Sequence, residues 1–281
     1  MNNFVATDRV IDKKVHVTYR HESVSNFLAQ ESIDPGLHSI WEGGLPIDCI
    51  FAPRVSATLV VVLNGATTPS ITLPWLSGTS ILAGMEVSRL SISDPSLYLG
   101  GGLTSAYYAG NYHQPDLQTH LVKIVAKAAE SARAENIVFL GGSSGGFASL
   151  ALSAHFPQCT AVVFNPQTNL YVHTEGPIQA WLSAAWEVNS LEELPGSVEV
   201  DLISQYASGF THRVIYMQNI TDHHHNRHFL PFLRSAGPGD LQYLVHDEAQ
   251  GHAPPPKEMI RSAVESACSL PHGDLVKGFS R

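Results

Sequence analysis

The chain has 281 residues, 44% of them hydrophobic and 15% charged, enough to bury about three quarters of its unfolded surface without a disulfide or metal staple. Sixteen Lys and Arg against twenty-five Asp and Glu leave a net charge of −9. That balance repels a phosphate backbone and speaks against nucleic acid or an anionic membrane surface as partner. Cys49, Cys159 and Cys268 are too few and too scattered for a disulfide framework or a thiolate zinc cluster, so each reads as a small buried apolar residue.

The opening MNNFVATDRVIDKKV has no basic stretch followed by an apolar run, and no 18-residue apolar window occurs anywhere. A cytoplasmic protein without a membrane span is expected. No fixed-period repeat or low-complexity tract is visible. The whole of residues 1–281 reads as one domain.

In chain order, Val15–Tyr19 and Ile47–Phe51 read as antiparallel edge strands. The run Ala57–Leu63 is continuously apolar, as in a strand buried on both faces of a parallel sheet. Val87–Ile92 is a strand closed by the turn signal Ser93-Asp94-Pro95. Leu117, Leu121, Ile124, Val125 and Ala128 recur three or four apart and predict a helix over 115–133. Strand Ile137–Leu140, a glycine-rich turn, a helix over 146–155 and strand Thr160–Phe164 follow. Residues 166–210 interrupt this rhythm with two short helical patterns, near 177–189 and 199–207, and read as a cap or a longer crossover. Strands Arg213–Gln218 and Leu241–His246 and a helix over 256–268 complete the chain. Alternating strands and helices imply an α/β protein, a mostly parallel sheet with helices on both faces. Ligands in such sheets bind beyond the carboxyl ends of the strands.

The turn Gly141-Gly142-Ser143-Ser144-Gly145-Gly146 lies between a strand and a helix. It carries G-x-S-x-G in the context that lifts a serine clear of the sheet. The motif fits at Ser143 and at Ser144. Ser143 is preferred, because it stands close after the strand and leaves Gly145 and Gly146 at small-residue positions. Ser144 then contributes a backbone N–H to an oxyanion hole. A phosphate-cradling turn is the competing reading, but neither G-x-G-x-x-G nor G-x-x-x-x-G-K-[ST] is present.

A serine needs a base, and the base an orienting acid, in the chain order Ser, acid, His on this architecture. Asp222 follows the 213–218 strand and His252 follows the 241–246 strand. Asp222 also suits the N-cap of a short helix. Asp247 and Glu248 are alternative acids but sit on the loop of His252 itself.

With these three features in order, residues 55–270 resemble the α/β-hydrolase superfamily. The first 50 residues and the 166–210 insertion carry no signal of it. The resemblance implies Ser143 as nucleophile, Asp222 as acid and His252 as base. It also implies that Asn64-Gly65-Ala66 is the oxyanion loop, with Asn64 where the superfamily has His and Ala66 as backbone donor. A narrower resemblance is to hydrolase-like proteins associated with bacterial cell-surface polysaccharides, through Gln218-Asn219 with the histidine run and Gly251-His252 before Pro254-Pro255-Pro256.

The run Asp222-His223-His224-His225-Asn226-Arg227-His228 invites a metal reading, since His224 and His228 share one face of a helix. It lacks the glutamate of H-E-x-x-H and an identifiable third ligand, so a polar helix start is preferred. Tyr107, Tyr108, Trp75, Trp181 and Trp186 stay divided between pocket lining and core. The expected function is therefore a serine esterase, with no cofactor and no metal, acting on a small-molecule or saccharide ester. An acyltransferase with the same triad and a non-catalytic binding or assembly protein are the alternatives. Oligomeric state is left open.

Overall fold

The computed structural model describes residues 9–11, 17–68, 70–100, 102–248 and 250–281. Nine strands of these residues form one sheet: β1 (Thr18–His21), β2 (Gly36–Glu42), β3 (Leu45–Ala52), β4 (Thr58–Leu63), β5 (Ser88–Ile92), β6 (Asn136–Gly142), β7 (Thr160–Phe164), β8 (Arg213–Asn219) and β9 (Asp240–His246). Their spatial order is β1-β2-β3-β5-β4-β6-β7-β8-β9. From β5 to β9 every neighbour pair is parallel, while β3 runs antiparallel to both β2 and β5.

Among the described residues seven α-helices accompany the sheet: α1 (Val24–Leu28), α2 (Leu117–Ala132), α3 (Ser144–Ser153), α4 (Glu175–Trp181), α5 (Leu202–Ala207), α6 (Leu230–Ser235) and α7 (Lys257–Ser269). The alternation of side chains along each strand assigns its two faces. In β4, Leu59, Val61 and Leu63 pack with α1 and α2, whereas Val60 and Val62 pack with α7. Both faces are thus covered, which is why the central strands read as unbroken apolar runs.

The first fifty residues depart from expectation. Ile47–Phe51 lies in β3, an interior strand rather than an edge. Of the Val15–Tyr19 strand, residues 15 and 16 fall outside the described residues, and β1 pairs parallel with β2. Strand β2 has no counterpart in the sequence reading. It carries polar residues into the interior: Ser39 Oγ donates to Asp48 Oδ1 at 2.5 Å, and Arg9 Nε and the Tyr98 hydroxyl both donate to Asp48 Oδ2. That network replaces the apolar alternation by which strands are recognised.

Residues 166–210 break into α4, α5 and short 3₁₀ and π turns. Ten of their apolar side chains, from Leu170 to Tyr206 and including the fully buried Trp181 and Leu202, join Leu150 of α3, Val163 of β7 and Tyr216 of β8 in a single cluster, while Tyr171 and Val172 are exposed. Tyr107 belongs to this cluster, and Tyr108 to the one under α2. Cys49 and Cys159 are buried and unpaired, and Cys268 is partly buried. Among the described residues, no helix is long and apolar enough to cross a membrane.

Candidate active site

Strand β6 ends at Gly142 and α3 begins at Ser144, which leaves Ser143 alone on the turn with φ 52° and ψ −123°. A non-glycine residue rarely holds that conformation and needs its surroundings to fix it. Here Ser143 N–H donates to Phe164 O at 3.0 Å, and its carbonyl accepts Phe147 N–H at 3.0 Å. Close packing leaves the flanking positions no room for side chains. A Cβ at Gly142 would overlap the Phe164 ring, and one at Gly145 would overlap the Leu63 carbonyl at the end of β4.

The three sequence-derived residues come together at the carboxyl ends of their strands. Ser143 Oγ–H donates to His252 Nε2 at 2.9 Å, and His252 Nδ1–H donates to Asp222 Oδ2 at 2.6 Å. Gly251, at φ +67°, turns the loop that carries His252. The Asp222 side chain is fully buried and that of His252 is 36% exposed. Asp222 Oδ1 accepts His224 N–H at 2.9 Å and faces His223 Nδ1 at 3.1 Å. The turn-capping and histidine-orienting readings of this residue therefore use opposite oxygens of one carboxylate. Burial raises the pKa of Asp222, but hydrogen bonds from His252 and His224 N–H, with the facing imidazoles, hold it below the ordinary carboxylate value. Asp247 and Glu248 are exposed.

Ser143 and His252 open on a cavity of about 300 Å³, lined also by Val62, Ala66, Ile81, Leu140, Phe164 and Pro254. Ser144 does not line it. That side chain is buried against a separate small hollow shared with Gly65 and Tyr108. Its N–H belongs to the first turn of α3, where backbone donors lack intrahelical partners. Asn64 is a latch: its Nδ2 donates to Trp75 O at 2.5 Å, its Oδ1 accepts the Ser77 hydroxyl, and its N–H donates to Tyr108 Oη at 2.8 Å. It thereby ties the loop after β4 to the strand end that carries Gly65 and Ala66.

Two features escaped the sequence reading. Gln167 Nε2 donates to Ser143 Oγ at 3.2 Å from a buried position two residues after Asn165. No motif marks it, because the contact exists only once the loop after β7 reaches the Ser143 turn. The second is His173, which joins His224 and His228 to put three ring nitrogens within 4.8 Å of one another. His228 Nδ1 accepts Thr168 N–H at 3.2 Å, so its proton sits on Nε2, which then has no lone pair for a metal. His224 Nδ1–H donates to Asn165 O at 2.9 Å and leaves Nε2 as an acceptor. Burial and mutual repulsion push His173 down to about 3, while burial and the charge of His252 push His224 to about 4. The cluster is a set of neutral rings packed beside His252, whose ring centre lies 4.3 Å from that of His224.

The model of an uncharacterised protein family, UPF0227, matches residues 106–198. No curated protein matches the sequence. Among solved structures, 2,6-dihydroxy-pseudo-oxynicotine hydrolase superposes with a TM-score of 0.60 at 15% identity, covering 86% of this chain and 70% of the other. The capsule O-acetyltransferase of Neisseria meningitidis serogroup A gives 0.57 at 14% identity, over 80% of this chain and 95% of that one. An S-formylglutathione hydrolase from Agrobacterium tumefaciens gives 0.57 at 14%, over 83% and 94%. The protein has the α/β-hydrolase fold. At these identities the likeness fixes architecture and leaves chemistry to the site.

Proposed function

We propose that the protein is a serine esterase acting through an acyl-enzyme on Ser143. The observation that carries this reading is the unbroken Ser143–His252–Asp222 hydrogen-bond chain beside an open cavity. Ser143 Oγ attacks the ester carbonyl as His252 Nε2 takes its proton. Asp222 holds the proton-bearing Nδ1 and stabilises the imidazolium. The tetrahedral oxyanion is received by the backbone N–H groups of Ser144 and Ala66, each donor contributing on the order of 3 kcal/mol. His252 then protonates the departing alcohol. Water, activated by the same histidine, releases the acid.

Apolar walls and a modest cavity volume favour short acyl groups. Residues 166–210 act as a packed crossover layer within a single domain, since their large apolar side chains from Ile178 to Tyr206 lie in or against the core and none of them lines the cavity. A second reading shares the first half-reaction: a capsule O-acetyltransferase is among the structural neighbours, and a sugar hydroxyl in place of water would make this protein a transferase.

A chain-length series of chromogenic esters tests the first reading. Turnover of short acyl esters is expected, with a drop of about 10⁴–10⁶ in Ser143→Ala. Undiminished turnover in that variant contradicts the reading. Product analysis with added saccharide separates the second reading, which expects acylated sugar to exceed free acid.

A further inference from the structure

The His252 loop is held on both sides by residues outside the triad. Thr221 Oγ1 accepts Gly251 N–H at 2.9 Å, Asn219 Nδ2 donates to Gly251 O at 2.8 Å, and Asn165 Nδ2 donates to Ala253 O at 2.7 Å. The holders are themselves joined. Asn219 N–H donates to Asn165 Oδ1 at 2.8 Å, and the Thr221 hydroxyl donates to Asn219 Oδ1 at 3.0 Å. Asn165, at φ +44°, also donates its own N–H to Met217 O at 2.9 Å, and its carbonyl receives His224 Nδ1–H, next to the acid. Asn165 and Asn219 are buried at the carboxyl ends of β7 and β8. From there they bridge the strand end opposite the nucleophile, the acid loop and the histidine loop.

We infer that Asn165, Asn219 and Thr221 form a clasp that positions His252 between Ser143 and Asp222. The inference rests on the reading of His252 as base. A loop histidine has many rotamers and backbone poses, and proton transfer needs one of them held to a fraction of an ångström. Three side-chain bonds to the two residues flanking His252 supply that constraint. They are short, and two of the three come from buried amides, which lose more when unpaired than an exposed pair does.

Thr221 gives the cleanest test, since it is exposed and its substitution spares the core. Thr221→Val keeps the shape but removes both the acceptor for Gly251 N–H and the donor to Asn219, whereas Thr221→Ser restores both. Amide exchange at Gly251 and the rate of fluorophosphonate labelling are measured together. In Thr221→Val, Gly251 exchange is expected to speed up. The maximal labelling rate is expected to fall about tenfold, with the half-saturating probe concentration unchanged. Thr221→Ser is expected to return both to the parent values. A freed Gly251 amide with undiminished labelling overturns the positioning role, as does an unprotected Gly251 in the parent protein. A parent protein that never labels overturns the base reading and the positioning role with it, while Gly251 exchange still reports whether the clasp exists.

Discussion

Ser143 and Ser144 are neighbours in sequence, yet their side chains line different cavities. Ser144→Ala retains the backbone N–H and is expected to cost about tenfold or less in ester turnover, from packing alone. On the proposed mechanism the three act as a unit, so His252→Ala should be nearly as damaging as Ser143→Ala, and Asp222→Ala somewhat less so. Steady-state rates of the purified variants check the ranking. A Ser144→Ala loss as deep as that of Ser143→Ala contradicts the chosen register. Ser143 and His252 were legible because each follows a strand and adjoins a glycine, and Asp222 because it follows β8 in the chain order that the architecture requires. Gln167 and His173 were not legible. Their partners lie 24 and more than 50 residues away, brought near only by the sheet.

At the scale of elements, the turn works because α3 leaves β6 against the end of β4. Gly145 sits on the Leu63 carbonyl, and a methyl there must push the helix outward. Gly145→Ala is expected to destabilise by about 1–3 kcal/mol and to slow labelling, since Ser143 and the first N–H groups of α3 move with the helix. A melting temperature and labelling rate equal to those of the parent contradict that packing argument. The central strands were readable from sequence because both of their faces are apolar. Strand β2 was not, because Ser39 and His38 are buried within it as polar residues. One signal for it was nonetheless present: Gly43 and Gly44, both at positive φ, close a two-residue hairpin into β3. In 166–210 the short helical patterns were visible, but their packing was not, since periodicity says nothing about which face of which sheet a segment covers.

For the molecule as a whole, the buried histidines set the response to acid. Burial, which disfavours the imidazolium, lowers His21 and His212 to about 4, as it lowers His224 to about 4 and His173 to about 3. Between about 4 and 6.5 the unfolded chain binds protons that the folded chain refuses, so stability is full above 6.5 and falls as pH drops. Asp94, raised to about 6 by burial, works the other way over part of that range, one group against the eight imidazoles that burial lowers. The melting temperature is therefore expected to decline from pH 7 to pH 5, and a rise over that interval contradicts the reading of these rings as neutral. The proposal that Ser143 is an activated nucleophile is checked by treating the intact protein with a fluorophosphonate and mapping the adduct. One phosphonate per chain is expected, on the peptide containing Ser143, and none in Ser143→Ala. An adduct on Ser144, or an unlabelled protein that still hydrolyses esters, would contradict it.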